Sequence, residues 1–358
     1  MLRFIFMVLT LGCCNAAFAE PYLAVREGML CSSCHANPTG GGMRNSFGNA
    51  YGQNNLPVEA LSLPNNATWT GQLAGPISIG GNGRYSARQF DIDNVDNATN
   101  FSVDRASIYV SATLNDSISF MVDQQVAPNG SLNRETWVKI QRDSWYLKAG
   151  KLFQPFGWRL EDDSAYIRQV TGINFTNGDN GIEVGYERGS WSTQLALTNG
   201  TGGADDADDG KQASFRLANA SSVLQWGINA NFNNTDNGER TIAGVFAGLN
   251  TGPITWLFEW DQISDKETPS GDLDQDVALL EANYLLAKGH NLKLTLEAQQ
   301  FDNDTEDRMR YSFVYEYFPI SFSQLRLGIR ERDGEDINPI LDAQLNAQEI
   351  FAQLHVYF

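Results

Sequence analysis

Long apolar runs are missing from this 358-residue chain, and their absence excludes one way of crossing a bilayer. Beyond residue 19, no segment approaches the roughly 20 consecutive apolar residues that a transmembrane helix needs. A basic excess is missing too, since 43 acidic side chains outnumber 25 basic ones and the net charge is -18. Binding to nucleic acid requires a basic patch, so we expect no nucleic-acid partner.

Cysteine and histidine are scarce, with four and three copies respectively. Cys13 and Cys14 lie in an N-terminal stretch that has a charged start, a short apolar core and small residues before Glu20. That order is typical of an export signal, so we predict a signal peptide over residues 1–19. Lipidation of Cys13 or Cys14 is the weaker alternative, because the residues before them match a lipobox poorly.

The two remaining cysteines form a C-S-S-C-H sequence at residues 31–35. In a C-x-x-C-H motif the thiols add to the vinyl groups of haem and the imidazole becomes the proximal iron ligand. A short-loop disulfide and a thioredoxin-like redox pair are the alternatives. A redox pair requires a βαβ scaffold, whereas glycines flank this motif, and zinc would need further ligands nearby. We predict one covalent haem c, attached through Cys31, Cys34 and His35.

The sixth iron ligand is open, because axial identity does not follow from spacing. Met43 lies eight residues beyond His35, after a glycine run, and Met29 precedes the motif. His290 and His355 are distant in sequence, and water or an open position is a further alternative. Met43 could equally be a gap-filling apolar side chain, and His290 an ordinary turn residue.

From about residue 76 onward, apolar and polar residues alternate in short segments separated by Gly, Asn, Asp and Ser. In residues 224–232 every even position is apolar and every odd one is small or polar, and residues 254–260, 292–297 and 325–330 repeat the pattern. This period of two indicates antiparallel strands. Sixteen are predicted, at residues 76–90, 100–113, 117–127, 134–141, 145–154, 179–188, 190–199, 211–219, 222–232, 240–250, 253–263, 276–286, 291–301, 308–318, 322–331 and 345–358.

An even number of strands is what single-chain bacterial barrels require, and tight connections alternate with long acidic ones as they do there. A soluble sandwich shows the same alternation in single strands, so strand number and context favour the barrel. We expect the charged face to point inward. The last residues, ending at Phe358, resemble the closing strand of outer-membrane proteins. In that register His355 points into the lumen near the periplasmic rim, and His290 lies on a periplasmic turn.

Residues 21–35, continuing through Asn37-Pro38-Thr39 to Phe47-Gly48, resemble the haem segment of fused cytochrome-porins, the outer-membrane monohaem cytochromes of iron-oxidising bacteria. The resemblance implies an N-terminal monohaem domain that plugs the periplasmic side of a sixteen-stranded porin. It also implies that electrons pass from extracellular Fe(II) to periplasmic carriers. Two departures from the family are the loose Gly40-Gly41-Gly42 run and a shorter barrel. Separately, residues 150–157 resemble the strand that enters the constriction loop of phosphate-selective porins, which implies that residues 158–177 fold into the lumen.

The acidic excess concentrates in predicted outer connections, at residues 205–209, 272–276, 302–307 and 335–336. Such runs normally keep surface loops well solvated. Here we expect divalent cations to bridge these loops to lipopolysaccharide. Alternatively, their field gathers Fe(II) or another cationic donor at the barrel mouth. Inside, basic and acidic residues are expected to face each other, as is normal in a porin lumen; they are Lys293, Arg310, Arg326, Arg330, Glu297 and Glu316.

The sequence therefore predicts an all-β transmembrane antiparallel β-barrel of about 16 strands with a small N-terminal c-type haem-binding plug. The expected division is a signal peptide at 1–19, a monohaem cytochrome c-like segment at 20–68 and a porin-like barrel at 69–358. We expect the outer membrane of a Gram-negative bacterium, with both termini periplasmic and with membrane lipid and lipopolysaccharide as surroundings.

The expected function is electron transfer across the outer membrane. One partner is extracellular, either a donor such as Fe(II) or a cytochrome or else an acceptor. The other partner is a periplasmic cytochrome or another soluble carrier. Whether this amounts to Fe(II) oxidase activity is left open by the sequence. Two alternatives are a porin that passes small solutes or anions past a plugging haem, and the membrane component of a multihaem extracellular electron-transfer complex. No catalytic triad, phosphate loop or pair of catalytic acids stands out.

Overall fold

The computed structural model describes residues 20–91, 98–128, 130–174, 176–204, 206, 208–236, 238–269, 271–302, 307–334 and 347–358. The predicted signal peptide lies outside the described residues. So do parts of the predicted acidic connections at 205–209 and 302–307, and all of residues 335–336.

Sixteen long strands of the described chain form one antiparallel sheet that closes on itself, because the last strand pairs with the first. A short strand, β1 (Gln72–Ala74), precedes them and pairs with the first long strand. The long strands are β2 (Ile77–Asp91), β3 (Ala98–Asn115), β4 (Ile118–Ala127), β5 (Leu132–Arg142), β6 (Trp145–Leu152), β7 (Asp179–Arg188), β8 (Trp191–Thr198), β9 (Gln212–Ala220), β10 (Leu224–Thr235), β11 (Gly238–Asn250), β12 (Ile254–Lys266), β13 (Leu273–Ala287), β14 (His290–Phe301), β15 (Arg308–Tyr317), β16 (Ser323–Asp333) and β17 (Gln348–Tyr357).

The two faces of the barrel wall differ as the alternation predicts. On β10, Trp226 is 38% exposed on the outside, while its neighbour Gln225 is 5% exposed and faces the lumen. On β14, Leu294 is 55% exposed and Lys293 is 4% exposed. A soluble sandwich would bury the apolar face instead. The prediction of an all-β closed antiparallel barrel with a charged interior is therefore confirmed.

Each predicted strand matches an observed one to within three residues at either end. The sequence did not indicate β1, because three residues are too few to display a period. Short turns gather at one end of the barrel, between β3 and β4, β7 and β8, β11 and β12, and β13 and β14. Most connections at the opposite end are longer, apart from the two-residue one between β10 and β11, and the longest lies between β6 and β7.

Two short helices form the core of the N-terminal segment (residues 20–68), and the sequence analysis anticipated neither. Helix α1 (Pro21–Glu27) starts with proline, whose missing N–H is tolerated there, and ends at Gly28 in the left-handed region with φ of 65°. A Cβ on Gly28 would lie 2.7 Å from the Ser222 Cα, so glycine is needed for space as well as conformation. Helix α2 (Ser46–Asn54) is capped by Asn45, whose side chain accepts a hydrogen bond from the Gly48 N–H.

No helix among the residues described here has both the length and the apolar character needed to span a bilayer. The N-terminal segment instead lies inside the barrel. The Tyr22 hydroxyl donates a 2.9 Å hydrogen bond to Glu316 on β15, and Gln225 on β10 donates to the carbonyls of Ala24 and Met29. The Val58 N–H donates to the Phe318 carbonyl beside the β15–β16 turn, so the segment occupies the end with the short turns.

The connection between β6 and β7 also folds inward, as the resemblance of residues 150–157 implied. We call residues 153–174 the inner loop; it contains helix α3 (Tyr166–Gln169). The Trp158 N–H donates a 2.6 Å hydrogen bond to Glu259 on β12, and the Tyr166 N–H donates one of 2.6 Å to Glu297 on β14. Two carboxylates of the wall therefore hold the loop across the lumen.

Candidate functional site

The predicted attachment motif forms a tight turn inside the barrel. Cys31–Ser33 is a 3-10 helix, and the N–H groups of Cys34 and His35 both donate to the Cys31 carbonyl at 3.1 Å. The Asn45 side chain donates to the Ser32 and Ser33 carbonyls, which ties this turn to helix α2. A Cβ on Gly48 would lie 2.3 Å from the Cys34 carbonyl oxygen, so α2 packs directly on the motif.

The glycine run at residues 40–42 has a structural reason. All three glycines have positive φ, at 90°, 74° and 63°, a region that other residues adopt only with strain. They reverse the chain so that Ala36 donates to the Met43 carbonyl and Asn45 donates to the Cys34 carbonyl. His35 and Arg44 consequently face each other in an isolated antiparallel β-bridge.

Both motif thiols are free, and burial raises the pKa of each. The pKa of Cys34 rises to about 12. A catalytic redox pair of the thioredoxin type works through a cysteine of lowered pKa, the opposite of what burial produces here. The surroundings of the motif therefore do not favour thiolate chemistry.

The His35 imidazole is 4% exposed, and neither of its ring nitrogens has a hydrogen-bond partner among the described residues. Burial, together with the nearby positive charge of Arg44, lowers its pKa to about 4. The ring is therefore neutral at physiological pH, the form in which histidine binds a metal. A buried polar atom without a partner is unfavourable, so this environment suits a ligand that engages the imidazole. Two free thiols followed by such an imidazole are residues that fit haem c.

Of the four named candidates for the sixth ligand, Met43, His290 and His355 lie in three different places, and Met29 follows helix α1. Met43 packs in an apolar cluster on one side of the lumen, with Tyr109, Met121, Trp137, Leu152 and Ala196. His290 stacks on Tyr317 with ring centroids 4.8 Å apart and contacts the Tyr315 hydroxyl at 2.6 Å. These residues belong to the outward face of the wall, whereas the motif lies inside it. His355 is 3% exposed and faces the lumen, as the register of the last strand predicted.

A second cluster lies where the inner loop meets the wall. The loop contributes three consecutive carboxylates, Glu161, Asp162 and Asp163. They face an arginine wall on four strands of one side of the barrel, made of Arg84, Arg88, Arg105, Arg310, Arg326 and Arg330. Between loop and wall lies a small polar cavity of about 60 Å³, with Arg84, Arg88, Arg326 and Arg330 among its lining residues.

The loop carboxylates are shared between several arginines. Asp163 contacts Arg84 at 3.0 Å, Arg105 at 2.6 Å and Arg168 of the loop itself at 3.0 Å. Burial opposes the ionisation of Asp163, but these guanidinium groups outweigh it and hold its pKa well below the usual range.

Asp162 contacts Arg310 at 3.2 Å and Arg330 at 2.8 Å. Like Asp163, the buried Asp162 has its pKa held below the usual range by the arginines it contacts. The sequence analysis expected Arg310, Arg326 and Arg330 inside but did not single out the acidic run that opposes them. The position of that run in a segment expected to enter the lumen was the available signal.

Known proteins share the barrel. Residues 77–247 match the family model described as phosphate-selective porin O and P. The outer-membrane protein OmpT of Vibrio cholerae superimposes with a TM-score of 0.58 at 14% identity, over 80% of this chain and 99% of that one. The anion-selective porin from Comamonas acidovorans gives 0.61 at 11% identity, over 79% of this chain and 99% of that one. The fold is that of an outer-membrane porin. A mutant of the Rh. blastica porin agrees, with a TM-score of 0.54 at 14% identity, over 79% of this chain and all of that one. No curated protein sequence matches the chain.

Within this porin barrel, the N-terminal segment is held by buried charges. The Lys293 ammonium group lies 3.5 Å from Glu20, 3.7 Å from Glu281 and 3.5 Å from Glu316. Burial raises the pKa of Glu20 to about 7, although the neighbouring cations oppose this. The mixed-charge interior predicted around Lys293 and Glu316 is confirmed, and it includes a carboxylate of the N-terminal segment itself.

The acidic connections are described only in part. Asp206 pairs with Lys211 at 2.9 Å, and Asp274 pairs with Lys266 at 2.8 Å. Across the described ranges, no group of three or more His, Cys, Asp or Glu side chains is arranged to hold a metal ion. Asp206 and Asp274 are thus each paired with a nearby lysine.

Proposed function

We propose that this chain is an outer-membrane porin in which small anions pass between the inner loop and the arginine wall. The observation that carries the proposal is the polar cavity at which Arg84, Arg88, Arg326 and Arg330 converge inside a lipid-facing barrel. Guanidinium groups keep their charge and offer planar donor pairs that match oxyanions. Their N–H groups can therefore replace the water molecules that hydrate a small anion.

The distribution of spare hydrogen-bonding atoms favours anions over cations. The buried Nε atom of Arg330 has neither a hydrogen bond nor an ion pair within the described part of the chain, whereas those of Arg88 and Arg326 lie 3.5 Å from the carboxylates of Glu349 and Glu316. Asp162 and Asp163, by contrast, each accept from two or more partners. An entering anion therefore finds a free donor at Arg330, whereas an entering cation meets Asp162 and Asp163, which arginines already neutralise. The phosphate-selective family model and the anion-selective porin among the similar structures agree with this preference.

The proposal includes orientation and regulation by the N-terminal segment. Because short turns of bacterial barrels lie on the periplasmic side, we expect the N-terminal segment and both ends of the chain to lie there. The long acidic connections then face outward, toward lipopolysaccharide. Because residues 20–68 fill the short-turn end of the lumen, the passage of anions through the barrel depends on how tightly this segment stays docked.

Removing the loop carboxylates tests the anion path. We expect the double variant Asp162→Asn, Asp163→Asn to raise the anion-to-cation permeability ratio on the order of fivefold, because the arginines lose their screening partners. Reversal potentials in planar bilayers under a salt gradient measure this ratio. The matched control is Asp116→Asn, an exposed carboxylate in the β3–β4 turn. Heat-modifiable gel mobility checks that each variant folds, and an unchanged ratio in a folded double variant would contradict the anion path.

A second function is favoured by the motif turn: electron transfer through a covalent haem. Cys31 and Cys34 would form the thioether bonds, and His35 would be the proximal ligand. When bound, the group supplies a one-electron redox centre. The surrounding residues hold the turn, keep bulk water from the imidazole and place the site within the barrel rather than beside it. A lone haem is shorter than the apolar band of about 25 Å, so a donor must enter the outer mouth to reach it.

In this second function Cys31, Cys34 and His35 would hold a one-electron centre, and the electron given up as Fe(II) becomes Fe(III) would pass to a soluble periplasmic cytochrome, which is reduced in turn. We expect external Fe(II) to convert the haem spectrum of proteoliposomes to the reduced form, and an added soluble cytochrome c to reverse the change. Vesicles carrying chain matured without haem ligation are the control. A haem that stays oxidised, in vesicles that swell in solute assays, would leave only the porin function. Co-purification with a multihaem partner would place the chain in a larger complex.

A further inference from the structure

The inner loop is held by the N-terminal segment as well as by the barrel wall. The Arg159 Nε of the loop donates a 2.9 Å hydrogen bond to the Thr39 hydroxyl of the segment, and its Nη2 donates one of 2.8 Å to the Gln154 carbonyl. The guanidinium also lies over the Phe153 ring, 5.1 Å from the ring centre. Thr39 is 1% exposed, so water competes little for its hydroxyl.

Asn37 fixes Thr39 and connects it to the barrel wall. The Asn37 Oδ1 accepts from the Thr39 hydroxyl at 3.1 Å and from the Thr39 N–H at 3.3 Å. The Asn37 Nδ2 donates a 2.9 Å hydrogen bond to Glu135 on β5. The same oxygen of Glu135 accepts from the Phe153 N–H at 3.1 Å. These hydrogen bonds therefore leave the inner loop at Arg159, pass through the segment and the wall, and return to the loop at Phe153.

We call Asn37, Thr39, Glu135, Phe153 and Arg159 the coupling network. A β-bulge brings its wall residue into the lumen. Along β5 the pairing with β4 shifts, since Asp123 lies opposite Glu135 but Gln124 lies opposite Asn133. The extra residue is Arg134, and both Arg134 and Glu135 are buried in the lumen. In a regular strand two neighbouring side chains point to opposite faces, so only the bulge lets both face inward.

Arg159 lies at the start of the part of the loop that faces the arginine wall. The loop carboxylates follow it at residues 161–163, and at most roughly 10 Å of extended chain separates Arg159 from Asp162. The two wall contacts that hold the loop backbone lie on either side, at Trp158 and Tyr166. Between these two points, the contact with Thr39 is where the N-terminal segment determines the position of the loop.

The N-terminal segment and the inner loop also share an apolar cluster. Leu23 and Tyr51 of the segment belong to it, as do Trp158 and Leu160 of the loop, and all four are buried. Burial of apolar surface is non-directional, whereas a hydrogen bond fixes the position of a side chain. We therefore expect the apolar cluster to keep the segment docked when one hydrogen bond of the coupling network is removed.

We propose that the docked N-terminal segment sets the ion selectivity of the channel, with Thr39 as the residue that positions the inner loop. The inference rests on the anion path proposed above, and it concerns selectivity rather than conductance. While Thr39 holds Arg159, the loop carboxylates stay against the arginine wall and screen its charge from passing ions.

Loss of the Thr39 contact moves the loop away from part of the arginine wall. Glu135 attracts the Arg159 guanidinium, and its Oε2 has no hydrogen-bond partner among the residues that the structure describes. Without the Thr39 hydroxyl, Arg159 pairs directly with Glu135 and draws the loop toward β5. The strands β15 and β16 lie beyond β2 and β3 from β5, so Asp162 recedes from their arginines. The exposed guanidinium groups then favour anions more strongly.

The variant Thr39→Val tests the proposal, because it removes the hydroxyl without changing any charge. We expect it to raise the anion-to-cation permeability ratio on the order of twofold, as measured by reversal potentials of the full chain in planar bilayers under a salt gradient. Thr39→Ser keeps a hydroxyl and should restore the wild-type ratio. Thr68→Val, at an exposed threonine of the same segment, is the matched control.

A second variant breaks the same contact from the loop. Arg159→Lys keeps the charge but lacks the planar fork that reaches both Thr39 and the Gln154 carbonyl, so it should shift the ratio in the same direction. Heat-modifiable gel mobility checks that each variant folds. In the background Asp162→Asn, Asp163→Asn, Thr39→Val should cause no further change, because the repositioning acts through these carboxylates.

Three results would overturn the role of Thr39: an unchanged ratio in folded Thr39→Val and Arg159→Lys, a shift that persists when both loop carboxylates are neutral, or a conductance that rises to that of a barrel without the segment. If the loop-carboxylate double variant raises the ratio while Thr39→Val does not, the anion path stands and only the coupling is wrong. If the double variant itself keeps the wild-type ratio, the anion path fails and the coupling fails with it.

Discussion

Deletion of residues 20–68, with the export signal kept, is expected to raise single-channel conductance on the order of tenfold, because porin lumens that are not filled by protein conduct freely. Helix α1 lies across the interior, with Tyr22, Leu23 and Val25 all buried. These side chains share an apolar cluster with residues of the wall, including Phe246 and Leu257. Without them, only the inner loop would narrow the lumen.

A substitution in the full-length chain tests, without a deletion, whether helix α1 blocks the lumen. Gly248 on β11 leaves room for helix α1, because a Cβ at this position would lie 2.3 Å from the Val25 side chain. We expect Gly248→Leu to displace the helix and to raise conductance by part of the deletion effect. Gly189, in the β7–β8 turn at the same end, has a φ of 61° that asparagine tolerates and nothing near a Cβ, so Gly189→Asn is the control. A folded deletion variant that conducts no better than the full chain would mean that the inner loop alone closes the barrel.

Replacing Cys31 and Cys34 together with serine is expected to abolish covalent haem, from full occupancy in the wild type to background. The thioether bonds require both sulfur atoms, and the turn that presents them is held by backbone hydrogen bonds that serine leaves intact. Haem staining of denaturing gels and a pyridine haemochrome spectrum, after expression with a haem-ligation system, measure the attachment.

Two controls make the cysteine experiment specific. His355→Gly should retain covalent haem, because the thioether bonds do not involve that residue. The serine double variant should also run as a folded barrel, since neither cysteine lies on a strand. A wild-type protein that is colourless under the same conditions would contradict haem attachment, and the C-x-x-C-H turn would then be a structural part of the plug.

The strands were predictable because a two-sided wall imposes its period on every segment. Gln225 and Trp226 show the rule: each residue faces either lipid or lumen, and the sequence alternates accordingly. The closing strand could also be predicted in register, so His355 was placed inside correctly. His290 was expected beside the plug, but it is the first residue of β14 and its ring belongs to an outer tyrosine cluster. One position of register decides which face a residue occupies.

The interior was harder to predict because its contacts join distant parts of the chain. The pairing of Asp163 with Arg84 and Arg105 brings together the inner loop, β2 and β3. No local pattern encodes such a pairing. Helices α1 and α2 are too short to display a helical period, and their stability comes from packing in the lumen.

By itself, the sequence determined the class of barrel, its strand bounds and the orientation of its two faces, because each depends on residues close together in the chain. Only the tertiary structure decided what fills the barrel and which side chains meet there. The contact of the N-terminal segment with Glu316, the arginine wall opposite the loop carboxylates and the hydrogen bond between Arg159 and Thr39 all depend on closure. Closing the sheet brings together surfaces that lie hundreds of residues apart, and no local pattern specifies which side chains will meet across the lumen.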